Sequence, residues 1–208
     1  MTLTRRAFGA AALAFAALPV RAQEIPLSEL SAYLNGLTTA TGAFTQVTEA
    51  GDVSTGTIYI KRPGRVRFEY DPPERAMVIA AGGQLAIFDP RSDEPTRYPL
   101  NQTPLSIILA RDVDLARANM VTGVRSDGQT TTVRAQDPDN PEYGSIDLVF
   151  TANPVELRQW VIRDGNGAET TVILGALETG GRVRDRLFNI VSEARLWAQG
   201  QPRAPKTF

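Results

Sequence analysis

Few chains change direction as often as this one. From residue 43 to residue 177 short segments alternate apolar and polar side chains, and a turn signal closes almost every one. The period-two runs fall at 43–50, 53–61, 65–71, 75–81, 84–89, 95–99, 119–126, 129–136, 144–151, 155–164 and 168–177. Between them stand "AGD", "RPG", "GG", "SDG", "PDNP" and "DGNG". Alternation of this kind places one side of each segment in a core and the other in water. Gly, Asn, Asp and Pro at the joints supply the turn conformations that antiparallel neighbours need, Asn-Gly of "DGNG" being a strong hairpin signal. About eleven short antiparallel strands in succession predict a sandwich or a barrel.

Two stretches break the period. "PLSELSAYLNGL" carries Leu27, Leu30, Leu34 and Leu37 at helical spacing, with Ser28 or Ser31 as a cap and Gly36 near its end. "TPLSIILARDVDLARANM" lies between the sixth and seventh strands. Pro104 suits a first helical position with Thr103 as cap, and Leu105, Ile108 and Leu109 make an apolar stripe. An apolar helix face needs an apolar partner. The expected architecture is therefore mainly β: a strongly curved antiparallel sheet, closed or nearly so, with helices over its mouth or concave side.

The ends carry separate information. "MTLTRRAFGAAALAFAALPVRAQ" has a basic start, a short apolar run from Ala7 to Val20 and a small-residue cleavage site ending at Ala22. Residues 1–22 are thus expected to be an export signal peptide, of either the Sec or the twin-arginine kind. Residues 23–193 are expected to form one domain, and 194–208, which lose all periodicity, a flexible tail. Removing Arg5, Arg6 and Arg21 leaves 19 basic residues against 23 acidic ones, a net charge of −4. Such mild acidity argues against a nucleic-acid partner. No cysteine is present, so neither a disulfide framework nor acylation of an N-terminal cysteine is available.

His is absent as well, which removes Ser-His and Cys-His nucleophiles and every imidazole ligand. No metal site, cofactor or catalytic residue is expected. The acid-rich "DPDNPEYG", with Asp137, Asp139, Asn140 and Glu142, lacks the glycine and the distant bidentate glutamate of a calcium loop and reads as a turn. An exported carboxylate-dependent hydrolase would need paired acids on facing strands, and none is evident.

The apolar parity of the strands is the more informative set. Ile58, Ile60, Val66, Phe68, Tyr70, Phe88, Ile146, Leu148 and Phe150 could line an ordinary core or a cavity for an apolar ligand. In "VRFEY" the opposite parity would bury Arg65, Arg67 and Glu69, so these are expected on the outer face.

"TGAFTQ", "GTIYIKRPGRVRFEYDPP", "GGQLAIFDPRSDEPTRYPL", "TPLSIIL" and "DRLFNI", in that order, resemble the outer-membrane lipoprotein carrier family, LolA. The resemblance runs from about Leu27 to Ile190. It departs from the family where "GGQ" (82–84) replaces Asp-Gly-Lys, and where the family favours Trp near Phe68 and Ala86. It implies a mainly β fold with an α lid: a half-open, unclosed antiparallel β-barrel covered by helices. It also implies a soluble, monomeric periplasmic chaperone for triacylated lipoproteins. Such a carrier takes its cargo from the inner-membrane LolCDE transporter and hands it to an outer-membrane acceptor. A carrier of another lipid, or a sensor of mislocalised lipoproteins, would use the same fold. The family's functional arginine in Lys-Arg-Pro corresponds to Arg62, which would bond to the lid over residues 103–110 and control its opening. A guanidinium at a strand end, just before Pro63, has the donors for the orphan carbonyls of a lid helix, although a solvated turn arginine is the plainer alternative. Lys61 and Arg65 are expected to be solvated.

Overall fold

A computed structural model describes residues 24–116 and 119–200; the expected signal peptide and the last eight residues lie outside them. Eleven strands form one sheet: β1 (Thr39–Thr48), β2 (Val53–Lys61), β3 (Val66–Tyr70), β4 (Met77–Ala81), β5 (Gln84–Phe88), β6 (Thr96–Pro99), β7 (Val121–Ser126), β8 (Thr130–Gln136), β9 (Ser145–Thr151), β10 (Glu156–Arg163) and β11 (Glu169–Thr179). Every pairing is antiparallel, in the order β6-β5-β4-β3-β2-β1-β11-β10-β9-β8-β7. The sheet is unclosed, with β6 and β7 as its two edges. Those two strands follow each other in the chain, so the segment between them (100–120) has to cross from one edge of the sheet to the other.

The turns follow from their residues. Gly82 and Gly83 take φ of +58° and +75° in the two-residue connection between β4 and β5, a conformation costly for any side chain with a Cβ. At Gly56 the absence of a Cβ lets the Phe44 ring and the backbone of Glu69 come close. Phe44 then meets Phe68 and Tyr70 edge-to-face, with ring centres 5.3 Å and 5.1 Å apart.

Helix α1 (Leu27–Gly36) and helix α2 (Leu105–Leu109) cover the inner face. Helix α2 is one turn, shorter than the 103–110 lid helix read from the sequence. Pro104 already has helical dihedrals. Thr103 does not cap the turn: its hydroxyl donates back to the carbonyl of Leu100 at 2.8 Å. Likewise neither serine caps α1, which starts after Pro26 without a side-chain cap. Leu105, Ile108 and Leu109 are buried, and so is Ile107, so the turn is enclosed all round instead of showing a stripe.

The outer face of β3 to β5 is also covered, which the sequence reading did not anticipate. Helix α3 (Ile190–Ala198) runs into the segment expected to be an aperiodic tail from 194. The Asn189 side chain accepts from the Ser192 amide at 2.9 Å and starts the helix. Ile190, Ala194 and Trp197 pack on Met77, Ile79, Ala86 and Phe88. Arg67, expected outside in water, lies beneath this segment and is 3 % exposed. Its guanidinium meets Glu69 at 2.6 Å, Glu193 at 3.0 Å and the carbonyl of Leu187 at 2.8 Å. The parity assigned to "VRFEY" was the right one. A second layer over that face removes the solvent, and the charges are tolerated because they are paired. Lys61 and Arg65 both reach Asp185, at 2.7 Å and 2.8 Å, and so anchor the same segment instead of standing free in water.

Candidate functional site

Period-two strands put Ile58 and Ile60 of β2 on the same inner face as Val66 and Phe68 of β3, in direct register as Ile58 with Phe68 and Ile60 with Val66. On the other half of the sheet Ile146, Leu148 and Phe150 of β9 point to the same interior. All seven are buried in one continuous cluster with Leu30 and Leu34 of α1 and the apolar side chains of α2. Tyr70 borders it. Burial pushes its phenol up to about 12, and the hydroxyl donates to Gln46 Oε1 at 2.6 Å. Phe88 does not join them: it pairs with Met77 on the opposite face and packs under α3. Strand parity across "QLAIF" left its direction open, and the second covered face took it. Two large residues missing from the expected set belong there, Phe44 and Trp160, the latter edge-to-face with Phe68 at 6.2 Å.

The turn α2 is bonded from the β2–β3 loop, at the arginine singled out in the sequence. Arg62 ends the β2 region, and its backbone amide donates to the carbonyl of Thr38 at 2.8 Å, which fixes the base of the side chain. Its Nη2 donates to the carbonyl of Ala110, the residue just after α2, at 2.6 Å, and lies 3.4 Å from Asn35 Oδ1. Gly64, at φ +70°, aims its amide at the carbonyl of Leu109 at 2.8 Å. Two consecutive orphan carbonyls at the end of the turn are therefore bound by the β2–β3 loop. The hold is not fully satisfied: Arg62 Nε is buried without a partner. Desolvation lowers the guanidinium pKa from its ordinary value, against a smaller opposing pull from Asp112.

A second clasp was not foreseen. Asn35 accepts from the Val113 amide and donates to the Val113 carbonyl, both at 2.9 Å, as a neighbouring strand would. One turn earlier, Ser31 Oγ accepts from the Leu115 amide at 2.9 Å while donating to Leu27 at 2.7 Å. Ser31 and Asn35 stand four apart on α1, so one helix face ties down the chain after α2. That spacing was visible in the sequence, but its partner was not.

The chemistry of this arrangement is that of enclosure. Among the described residues no three His, Cys, Asp or Glu side chains come together as a metal site. Asp137 Oδ1 accepts from the backbone amides of Asp139 and Asn140, so "DPDNPEYG" spends its carboxylate on its own turn. Asp147 is buried between Arg134 and Arg163 on the outer face. Among the described residues no helix is long and apolar enough to cross a membrane.

Residues 35–191 match the sequence model of the family described as outer membrane lipoprotein carrier protein LolA. The chain belongs to the LolA family. The matched span begins at Asn35 and includes Arg62, the lid and all eleven strands. Among curated LolA relatives, the outer-membrane lipoprotein carrier protein of Chromohalobacter salexigens is 26 % identical over 177 residues, covering 80 % of this chain and 82 % of its own. That of Pseudomonas aeruginosa is 25 % identical over 183 residues, covering 83 % and 86 %. Among solved structures, a LolA superfamily protein from Nitrosomonas europaea aligns with a TM-score of 0.45 at 11 % identity, over 79 % of this chain and 98 % of that one.

Proposed function

We propose that this LolA-family protein is a periplasmic carrier that encloses the acyl chains of triacylated lipoproteins and moves them between membranes without chemical change. The observation that supports this most is an apolar interior, covered by α1 and the single turn α2, in which the polar fastenings of α2 are few and reversible. An acyl chain in water costs about 0.8 kcal/mol per methylene, so a carrier has to hide it. It also has to give the chain up. Here Leu105, Ile107, Ile108 and Leu109 fill part of the interior. A chain entering it displaces these side chains, so the net gain is a difference between two apolar fillings. Binding is thereby kept weak enough to reverse.

Arg62 is the latch in this reading, and Asn35 and Ser31 close the far end of the lid segment. Cargo is received from the inner-membrane LolCDE transporter and passed to an outer-membrane acceptor, with the carrier working as a monomer after export. Mass spectrometry of ligands that co-purify from the periplasm separates this from carriage of another lipid. Lipoproteins with an acylated N-terminal cysteine are expected; phospholipid or free fatty acid in their place would overturn the lipoprotein assignment.

A further inference from the structure

The inner wall does not stop at the sealed interior. Two rows of side chains cross the sheet on its inner face, one per register line. The first runs Ile60, Val66, Ala80, Leu85, Tyr98, and the second Ile58, Phe68, Val78, Ile87, Thr96. Burial falls along both in the same direction. Ile60, Val66, Ala80, Ile58 and Phe68 are enclosed, and Leu85 and Val78 are half-covered by the main cluster. Tyr98 and Ile87 are then 47 % and 36 % exposed. Strand spacing makes the second row, from β2 to β6, about 19 Å long, comparable with an extended long acyl chain. No charged side chain stands on either row; the nearest on β6, Arg97, pairs with Ala86 and faces the other side. β6 is a sheet edge, so among the described residues no further strand extends the wall at this end.

We infer that the inner face of β5 and β6 is an open landing strip for one acyl chain of a lipidated N-terminal cysteine. Ile87 and Tyr98 are its outermost contacts, and the chain docks there before the lid lets go. This rests on the carrier reading above. Continuity with the sealed interior identifies the occupant: the strip is the same apolar wall, one chain wide and uncharged, leading directly to Phe68 and Val66. Tyr98 suits its end, because a phenol ring can lie along a chain while its hydroxyl remains in water beside the ester group. Cargo thus engages the closed protein sideways, from the β6 edge, and lid release follows.

Stopped-flow fluorescence with a dansyl-labelled triacylated lipopeptide tests this on the whole mature protein. Ile87→Asp and Tyr98→Asp should each slow association about tenfold or more by placing a charge on the strip. Ile173→Asp is the control, because Ile173 is 42 % exposed but lies on the outer face; its association rate should not change. Ile87→Gln and Tyr98→Gln serve if an aspartate variant fails to fold, with the same order expected at smaller size. Normal rates for the 87 and 98 variants, or equal slowing by all three sites, would overturn the landing strip and leave the carrier reading standing. A wild-type protein that does not bind the lipopeptide at all would overturn both.

Discussion

Replacing Arg62 with leucine removes the 2.6 Å bond to the Ala110 carbonyl and the weaker approach to Asn35. A hydrogen bond from a charged donor contributes about 1.5–3 kcal/mol. Part of that is offset, since the wild-type guanidinium is partly desolvated and its Nε is buried without a partner. The net loss should be about 1–2 kcal/mol, which shifts the closed-to-open ratio of the lid roughly 5–30-fold. Hydrogen exchange resolved by residue reads this directly. The amides of Gly64, Val113 and Leu115, bonded to Leu109, Asn35 and Ser31, report the lid segment and its clasps. They should exchange about 5–30 times faster in the variant, while the β9–β10 ladder amides keep their rates. Unchanged rates at those three amides would refute the latch. Acceleration of the ladder by the same factor would refute it too, because Arg62 would then support the whole fold and not the lid.

Other consequences are more compact. Asn35→Ala leaves both backbone groups of Val113 without their partner and, because the segment opens as one unit, should raise exchange at Gly64, Val113 and Leu115 together by about tenfold; unchanged exchange at Gly64 would mean that latch and clasp open separately. Arg67→Met strips two carboxylates of a buried counter-charge and should cost about 3–5 kcal/mol. Emission from Trp197 in a Trp160→Phe background should shift to the red as α3 leaves Phe88, and an unshifted spectrum would show that apolar packing alone seats the helix. Burial by itself would push the Asp147 carboxyl up, but hydrogen bonds from Arg134 and Arg163 outweigh it and hold the pKa below the ordinary 3.8. Stability from that carboxylate is present above the unfolded-state value and is lost as pH falls through the depressed one. Asp147→Asn should therefore lower the melting temperature at pH 7 and remove part of its drop in acid; an identical acid profile would contradict this.

The strands and their antiparallel direction were legible because period-two runs and turn residues are local signals, whereas the pairing of β1 with β11, which sets the order of the sheet, is a long-range contact. Ile58, Ile60, Val66 and Phe68 could be assigned to one interior since the other parity of "VRFEY" carries only charges. Phe88 was not legible in this way: "QLAIF" offers apolar side chains on both parities, and only the position of α3 decides between them. The same helix hid the fate of Arg67. A single-face reading assumes water beyond the strand, and here a second layer 120 residues further along excludes it. Arg62 was singled out by the resemblance of its Lys-Arg-Pro motif to the LolA family, and its place at a strand end before Pro63 agreed with that role. Asn35 was missed because its partner at Val113 is 78 residues away, a separation over which polar residues leave no periodic trace.

Carriage as proposed requires that the interior hold lipoprotein acyl chains in transit. Inner-membrane vesicles containing LolCDE and a radiolabelled triacylated lipoprotein, incubated with ATP and this protein, test it most directly. The label should appear in the supernatant as a one-to-one complex with the protein, with the acyl chains crosslinking to a photoreactive residue at position 148. Label that stays with the vesicles while the protein is folded and the transporter hydrolyses ATP, or a soluble complex that crosslinks only at outer-face positions, would contradict it.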